Sequence, residues 1–155
     1  MTIFVGGCSC GQLEYKLTRE PIVTHVCHCT LCQRYSGSAF IVHSMIEKSN
    51  VVITHGILSE TVGPSKRGKG HTIKRCPTCG DQIYSQFEGL NGIVVLKTTT
   101  LNVPSTFPPQ AHIYVRSKLP WVELSGIIPV FEEFYSRKEV YTHEALKRSN
   151  LLKSQ

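Results

Sequence analysis

Cys27-His28-Cys29-Thr30-Leu31-Cys32 puts three thiols into six residues, and two shorter pairs bracket it, Cys8-Ser9-Cys10 and Cys76-Pro77-Thr78-Cys79. All seven cysteines of the chain fall in these clusters, and none follows Cys79. A thiol used only as a small buried apolar group has no reason to cluster. Close pairs in a chain without export signals have the spacing of metal ligands.

Each outer pair sets two sulfurs on a tight turn followed by a glycine, Gly11 or Gly80. Glycine lets the backbone fold back over a metal. Two such knuckles make a closed tetrahedral Zn²⁺ site, with Cys8, Cys10, Cys76 and Cys79 as ligands and no open position. In the central stretch, extended chain points Cys27 and Cys29 to one face and His28 to the other. Cys29 to Cys32 spans one helical turn, so the three sulfurs converge. His28 faces away, and His25 is expected a strand step off the ligand face, so nothing adjacent is an obvious fourth ligand. A second zinc held by Cys27, Cys29 and Cys32 with a vacant position is the pattern of a catalytic site. Three thiolates make that ion a poor Lewis acid towards water. They suit it to an incoming sulfur, which coordination deprotonates. A different partition stays open: Cys27 or Cys32 could join the Cys76 pair in one zinc ribbon, leaving Cys8 and Cys10 as a redox or vacant pair.

Working outward, Gln12 to Leu17 alternates and reads as a half-buried strand. Ile22 to Cys27 is a second strand that delivers the central cluster. Thr30 is expected to cap a helical turn over Leu31 to Tyr35, ended by Gly37. Further strands are expected over Ala39–Ile46, Val51–Thr54, Gln82–Phe87, Gly92–Thr99, His112–Val115 and Trp121–Leu124, with Thr72–Arg75 leading into the second knuckle. Gly63 to Gly70, with Lys66, Arg67 and Lys69, reads as an exposed loop. Phe131–Tyr135 is expected to pack its aromatics on the sheet as a short helix or strand, and Thr142 to cap a helix through Lys147. Many short strands, Gly and Pro punctuation and no βαβ rhythm make this a mainly β domain. Residues 1–135 are read as one zinc-binding domain. Residues 136–155 are read as a polar extension, partly helical, with its last residues frayed.

The chain has 155 residues, 41% of them hydrophobic, which is enough to bury a core without help from a metal. No apolar run is long enough to span a membrane. Met1 to Gly7 lacks a basic and then apolar signal, so the thiols are expected in the reducing cytoplasm, with the nucleus open if the source is eukaryotic. The formal charge of +6 assumes protonated cysteines. Seven thiolates on two zinc ions would remove part of it, and what remains mildly favours anionic partners.

The same residues resemble a known family. Gly7-Cys8-Ser9-Cys10-Gly11, then Cys27-His28-Cys29-x-x-Cys32 with Arg34, Gly37-Ser38 and Phe40, then Cys76-Pro77-x-Cys79-Gly80 look like the glutathione-dependent formaldehyde-activating family, which includes centromere protein V. His112-Ile113-Tyr114-Val115 with Lys118, Trp121 and Pro129-x-Phe131 resembles it too. The resemblance implies several short coiled antiparallel β-sheets held by zinc knuckles, with few helices. It implies two Zn²⁺ per chain: a structural ion at Cys8, Cys10, Cys76 and Cys79, and an active-site ion at Cys27, Cys29 and Cys32. The implied reaction joins glutathione to formaldehyde as S-(hydroxymethyl)glutathione, a carbon–sulfur lyase read in reverse. Gln33 stands where many members carry a basic residue, and Arg75 where an aromatic is usual.

A thiol such as glutathione brings carboxylates, and Arg34 is the candidate to bind one. Lys66, Arg67, Lys69, Lys74 and Arg75 could close over an anion or stay solvated. His25, His28 and His43 are candidate proton relays. Phe40 and Trp121 are candidate pocket walls, and Ser36 and Ser38 candidate hydroxyl donors. The leading expectation is a zinc-dependent lyase acting on a thiol and a small aldehyde. The rivals are a non-catalytic zinc module contacting protein or nucleic acid, and a redox or storage protein. The basic stretch lacks interleaved aromatics, which argues against nucleic acid.

Overall fold

The computed structural model describes residues 2–65 and 70–152. In chain order the strands are β1 (Phe4–Gly7), β2 (Glu14–Leu17), β3 (Val23–Cys27), β4 (Ile41–Glu47), β5 (Val51–His55), β6 (Ser59–Gly63), β7 (His71–Arg75), β8 (Gln82–Phe87), β9 (Ile93–Lys97) and β10 (His112–Ile113). Three α-helices accompany them: α1 (Thr30–Ser36), α2 (Arg137–Val140) and α3 (His143–Leu151). The fold is mainly β. A three-stranded sheet runs β1-β2-β5, and a seven-stranded sheet runs β10-β3-β4-β9-β8-β7-β6. The pairing is antiparallel except where β10 runs parallel to β3. No described helix is long and apolar enough to cross a membrane.

Side-chain alternation gives the large sheet two working faces. On β4, Ile41 and Met45 join one core cluster and Ile46 the other; on β9, Val95 joins the first and Val94 and Leu96 the second. β9 therefore reads as a continuous apolar run because it is covered on both sides. The second face packs against the small sheet through Leu13, Tyr15 and Leu17, all fully buried. The first face carries Cys27, Cys29 and Cys32 and is covered by Tyr135, Tyr141 and Ala145 from the end of the chain.

That end is bolted down by charge. Arg148 on α3 donates from Nε to Glu47 Oε1 at 2.8 Å and from Nη2 to Glu47 Oε2 at 2.6 Å, and Nη2 also reaches the Glu20 carbonyl at 2.9 Å. Both side chains are about nine-tenths buried. Thr142 caps α3 by accepting from the Ala145 N–H at 3.1 Å, as expected, and the helix runs on to Leu151.

Several expectations change. β1 and β6 form where no strand was expected. β1 is a short partner strand with two glycines, and β6 is an edge whose middle residues Glu60, Thr61 and Val62 are exposed. Trp121–Leu124 is not a strand: a turn forms there, with the Lys118 ammonium donating to the Leu119 and Val122 carbonyls, and Trp121 is 74% exposed. The strand from His112 stops at Ile113 because Tyr114 adopts φ 55 and starts a 3₁₀ turn. Residues 131–135 form neither helix nor strand, yet Phe131, Phe134 and Tyr135 do pack on the sheet. The expectations for Lys66, Arg67, Lys69 and the last three residues lie outside the described residues.

Burial alone would raise the Glu47 carboxyl. The Arg148 hydrogen bonds, helped by Asn50, outweigh it and hold the group below its ordinary 4.5. A carboxyl depressed by folding contributes stability that is present above that value and is lost as pH falls through the folded pKa. Glu47→Gln leaves Arg148 buried without its counter-ion and is expected to cost about 3 kcal/mol. Urea unfolding at pH 7 measures the loss. The variant should also lose less stability than the wild type between pH 5 and pH 3.

Candidate metal centres and the cavity beside them

The first sulfur cluster joins two hairpin turns. Cys8 and Cys10 sit between β1 and β2, and Cys76 and Cys79 between β7 and β8. Gly11 (φ 74) and Gly80 (φ 81) hold the turns in a conformation that costs a side-chain-bearing residue energy. The turn N–H groups are satisfied locally: Gly11 donates to the Cys8 carbonyl at 3.2 Å and Gly80 to the Cys76 carbonyl at 2.9 Å. Asp81 ties the turns together by accepting from the Ser9 N–H at 2.7 Å and from the Ser9 hydroxyl. Arg75 clasps the second turn through the Gly80 carbonyl at 3.1 Å.

All four sulfurs lie within 4.8 Å of one another, with Cys8–Cys10 at 3.4 Å and Cys10–Cys76 at 3.7 Å. A tetrahedron with Zn–S bonds of 2.3 Å has sulfur–sulfur edges of about 3.8 Å. The set could hold a metal ion, and its soft, all-thiolate donors suit zinc.

The second cluster is built where β3 runs into α1. Cys27 ends the strand. Cys29, expected to be followed by a Thr30 cap, is itself the N-cap: its sulfur accepts from the Cys32 N–H at 3.4 Å. The helix starts one residue early because sulfur takes over the role of the threonine hydroxyl. It ends at Gly37, as expected, with the Gly37 N–H donating to the Gln33 carbonyl at 2.9 Å. The Gln33 amide donates to the His28 and Ser117 carbonyls, both at 2.9 Å, and so pins the helix that carries Cys32.

Cys27, Cys29 and Cys32 are all buried, and their sulfurs lie within 4.8 Å of one another. No described His, Asp or Glu joins either set. Thiols this close must share protons or a cation. The Cys27 and Cys32 thiols donate to Cys29, and the N–H groups of Cys32 and Leu31 add to them; together they pull Cys29 down to about 2. Cys27 is pushed up to about 12, chiefly by its bond to Cys29, and Cys32 is pushed up further by Cys27, Cys29 and burial. Three converging donors could hold a second ion and leave a tetrahedral position unfilled.

A cavity of about 500 Å³ opens onto this trio, within the range of small-molecule sites. Its apolar walls include Leu31, Ile41, Met45, Leu90 and Ile93. His25 and His43, cross-strand partners on β3 and β4, also line it. The expectation for His25 is thus corrected: it lies two residues from Cys27, so strand alternation puts both on one face. Its Nδ1 meets the Tyr135 hydroxyl at 3.0 Å. Burial holds His25 at about 3 and His43 at about 4, so both rings are neutral at pH 7.

His28 turns to the other side of β3 and pairs through Nε2 with His112 Nδ1 at 3.0 Å. Arg34 is exposed on α1 and is not among the residues lining the cavity; neither are Phe40 and Trp121. Ser36 donates back to the Cys32 carbonyl at 2.8 Å and accepts from the Ser38 N–H. Lys74 pairs with Glu60. Residues that sequence reasoning missed include His71, bound to Ser85 at 2.9 Å, and Arg137 and Tyr141 from the end of the chain. Alternation on β7 and β8 could have pointed to His71 and Ser85. Nothing local marks the other two.

A family profile described as glutathione-dependent formaldehyde-activating enzyme matches residues 3–117. Among solved structures, a Rhodobacter sphaeroides protein is similar at 17% identity, with 81% of this chain and 98% of that chain covered and a TM-score of 0.49.

The two sulfur sets should be separable by metal analysis. Wild-type protein purified with zinc is expected to carry two ions per chain by elemental mass spectrometry. Cys76→Ala and Cys29→Ala should each carry one. Cys76→Ala should lose more thermal stability, because its set ties the first hairpin to the β7–β8 turn. Two ions retained by either variant would contradict this assignment.

Proposed function

The chain belongs to the glutathione-dependent formaldehyde-activating enzyme family, and from that premise we propose that it is a zinc-dependent carbon–sulfur lyase joining glutathione, or a similar thiol, to formaldehyde or another small aldehyde. The observation that carries the reading is the trio Cys27, Cys29 and Cys32: three buried, converging sulfurs at a small-molecule cavity, with no described fourth ligand.

In the reaction R–SH adds to H₂C=O to give R–S–CH₂–OH. A carbon–sulfur bond forms, the carbonyl π pair moves to oxygen, and the thiol proton ends on that oxygen. Zinc held by Cys27, Cys29 and Cys32 would supply a place where a thiol sulfur stays deprotonated at neutral pH. A second zinc, at Cys8, Cys10, Cys76 and Cys79, would have no chemical part, since four thiolates close it.

The chain's own residues do the rest. The apolar walls exclude water, which would otherwise hydrate the aldehyde and solvate the nucleophile. His43 is our choice for passing the thiol proton to the carbonyl oxygen. It lines the same cavity, and a neutral imidazole can accept at one nitrogen while donating from the other. Gln33 and Ser36 act on geometry: they hold the α1 backbone so that Cys32 stays aimed at its partners.

Cys29→Ala and Cys32→Ala are each expected to lower adduct formation by at least a hundredfold, followed as the methylene signal of the S-hydroxymethyl product by NMR with glutathione and formaldehyde. Far-ultraviolet circular dichroism should stay native, since the other sulfur set and both cores remain. Full activity in either variant would sink the proposal.

A further inference from the structure

The cavity beside Cys27, Cys29 and Cys32 takes part of its lining from chain beyond residue 117, where the family match ends. Phe134, Tyr135, Arg137, Tyr141, Ser149 and Leu152 supply it. Arg137 is the one Lys or Arg among the described lining residues. It is half-buried. Its Nη1 donates to Ser149 Oγ at 2.9 Å, which orients the guanidinium and engages one of its five donors. The ion pairs among the described residues are Arg19–Glu144, Lys74–Glu60, Arg116–Glu133 and Arg148–Glu47, so no described carboxylate neutralises Arg137.

Charge makes that cation useful. An anionic substrate that leaves water for a largely apolar cavity is disfavoured unless a cation there offsets its charge. A guanidinium with spare donors, partly withdrawn from water, matches a carboxylate in shape and charge. Its support is firm. The Ser136 N–H donates to Glu139 Oε2 at 3.0 Å at the start of α2, Thr142 caps α3, and Arg148 fastens α3 to β4 through Glu47. A binding group works when the elements behind it are rigid.

We propose that Arg137 binds a carboxylate of the thiol substrate in this cavity, so that the C-terminal segment selects carboxylate-bearing thiols. The inference rests on the thiol-condensing reading of the same cavity. It assigns the anchoring role to Arg137 and leaves Arg34 on the surface.

The test uses zinc-loaded full-length protein and two probe pairs: glutathione with its diethyl ester, and 6-mercaptohexanoate with its methyl ester. Dissociation constants come from titration calorimetry. The wild type is expected to prefer each free acid over its ester by tenfold or more. In Arg137→Met the preference should fall below about threefold, and in Arg137→Lys part of it should return. Because each ratio is taken within one variant, a loss of folded protein cancels. An unchanged preference in Arg137→Met, equal weakening of acid and ester, or no binding of any probe by the wild type overturns the proposal. Adduct formation is measured on the same samples. Binding with lost preference but no adduct in the wild type would overturn the lyase reading and leave the anchor standing. Adduct formation with an undiminished acid preference in Arg137→Met would do the reverse.

Discussion

Thiolate sulfurs held a few ångströms apart repel one another, and they stay together only if protons or a cation are shared among them. The seven cysteines of this chain meet at two such points, and the remaining architecture serves that convergence. Two hairpin turns bring four sulfurs together across most of the first half of the chain. One strand end and one helix start bring the other three. The split of Cys29 and Cys32 to opposite sides of the ordinary thiol range expresses the same strain in protons.

The large sheet turns that local crowding into a site. Because β3, β4 and β9 are covered on both faces, one face can spend its burial on the core shared with the small sheet, while the other frames the trio and its cavity. Among the polar groups buried there, His25 pairs with Tyr135 and His71 with Ser85. Paired and neutral groups keep the cavity walls in place without adding charge next to the sulfurs. The Gln33 and Arg75 side chains both close onto backbone carbonyls beside a cysteine cluster.

Much of this was legible in the sequence, for identifiable reasons. Cysteine spacing is a local signal; it left two partitions open, and the structure gathers the sulfurs as a set of four and a set of three. Period-two alternation located β2 and β8, and runs of β-forming residues located β3 and β9, because their apolar residues report directly on burial. The failures are equally physical. β6 pairs through its backbone while its middle side chains face solvent, so its sequence carries no burial pattern. His25 was set on the wrong face although alternation, applied strictly, ties it to Cys27. Arg137 and Tyr141 were missed because they reach the cavity by a long-range docking of α3, fixed by one ion pair between residues 47 and 148 that no window of sequence contains.

The origin of the cavity lining also bears on how such a protein changes over time. The sulfurs come from the stretch that defines the family, whereas a share of the surrounding surface comes from the chain's end. Substitutions in that end can therefore reshape the cavity wall without touching the sulfurs.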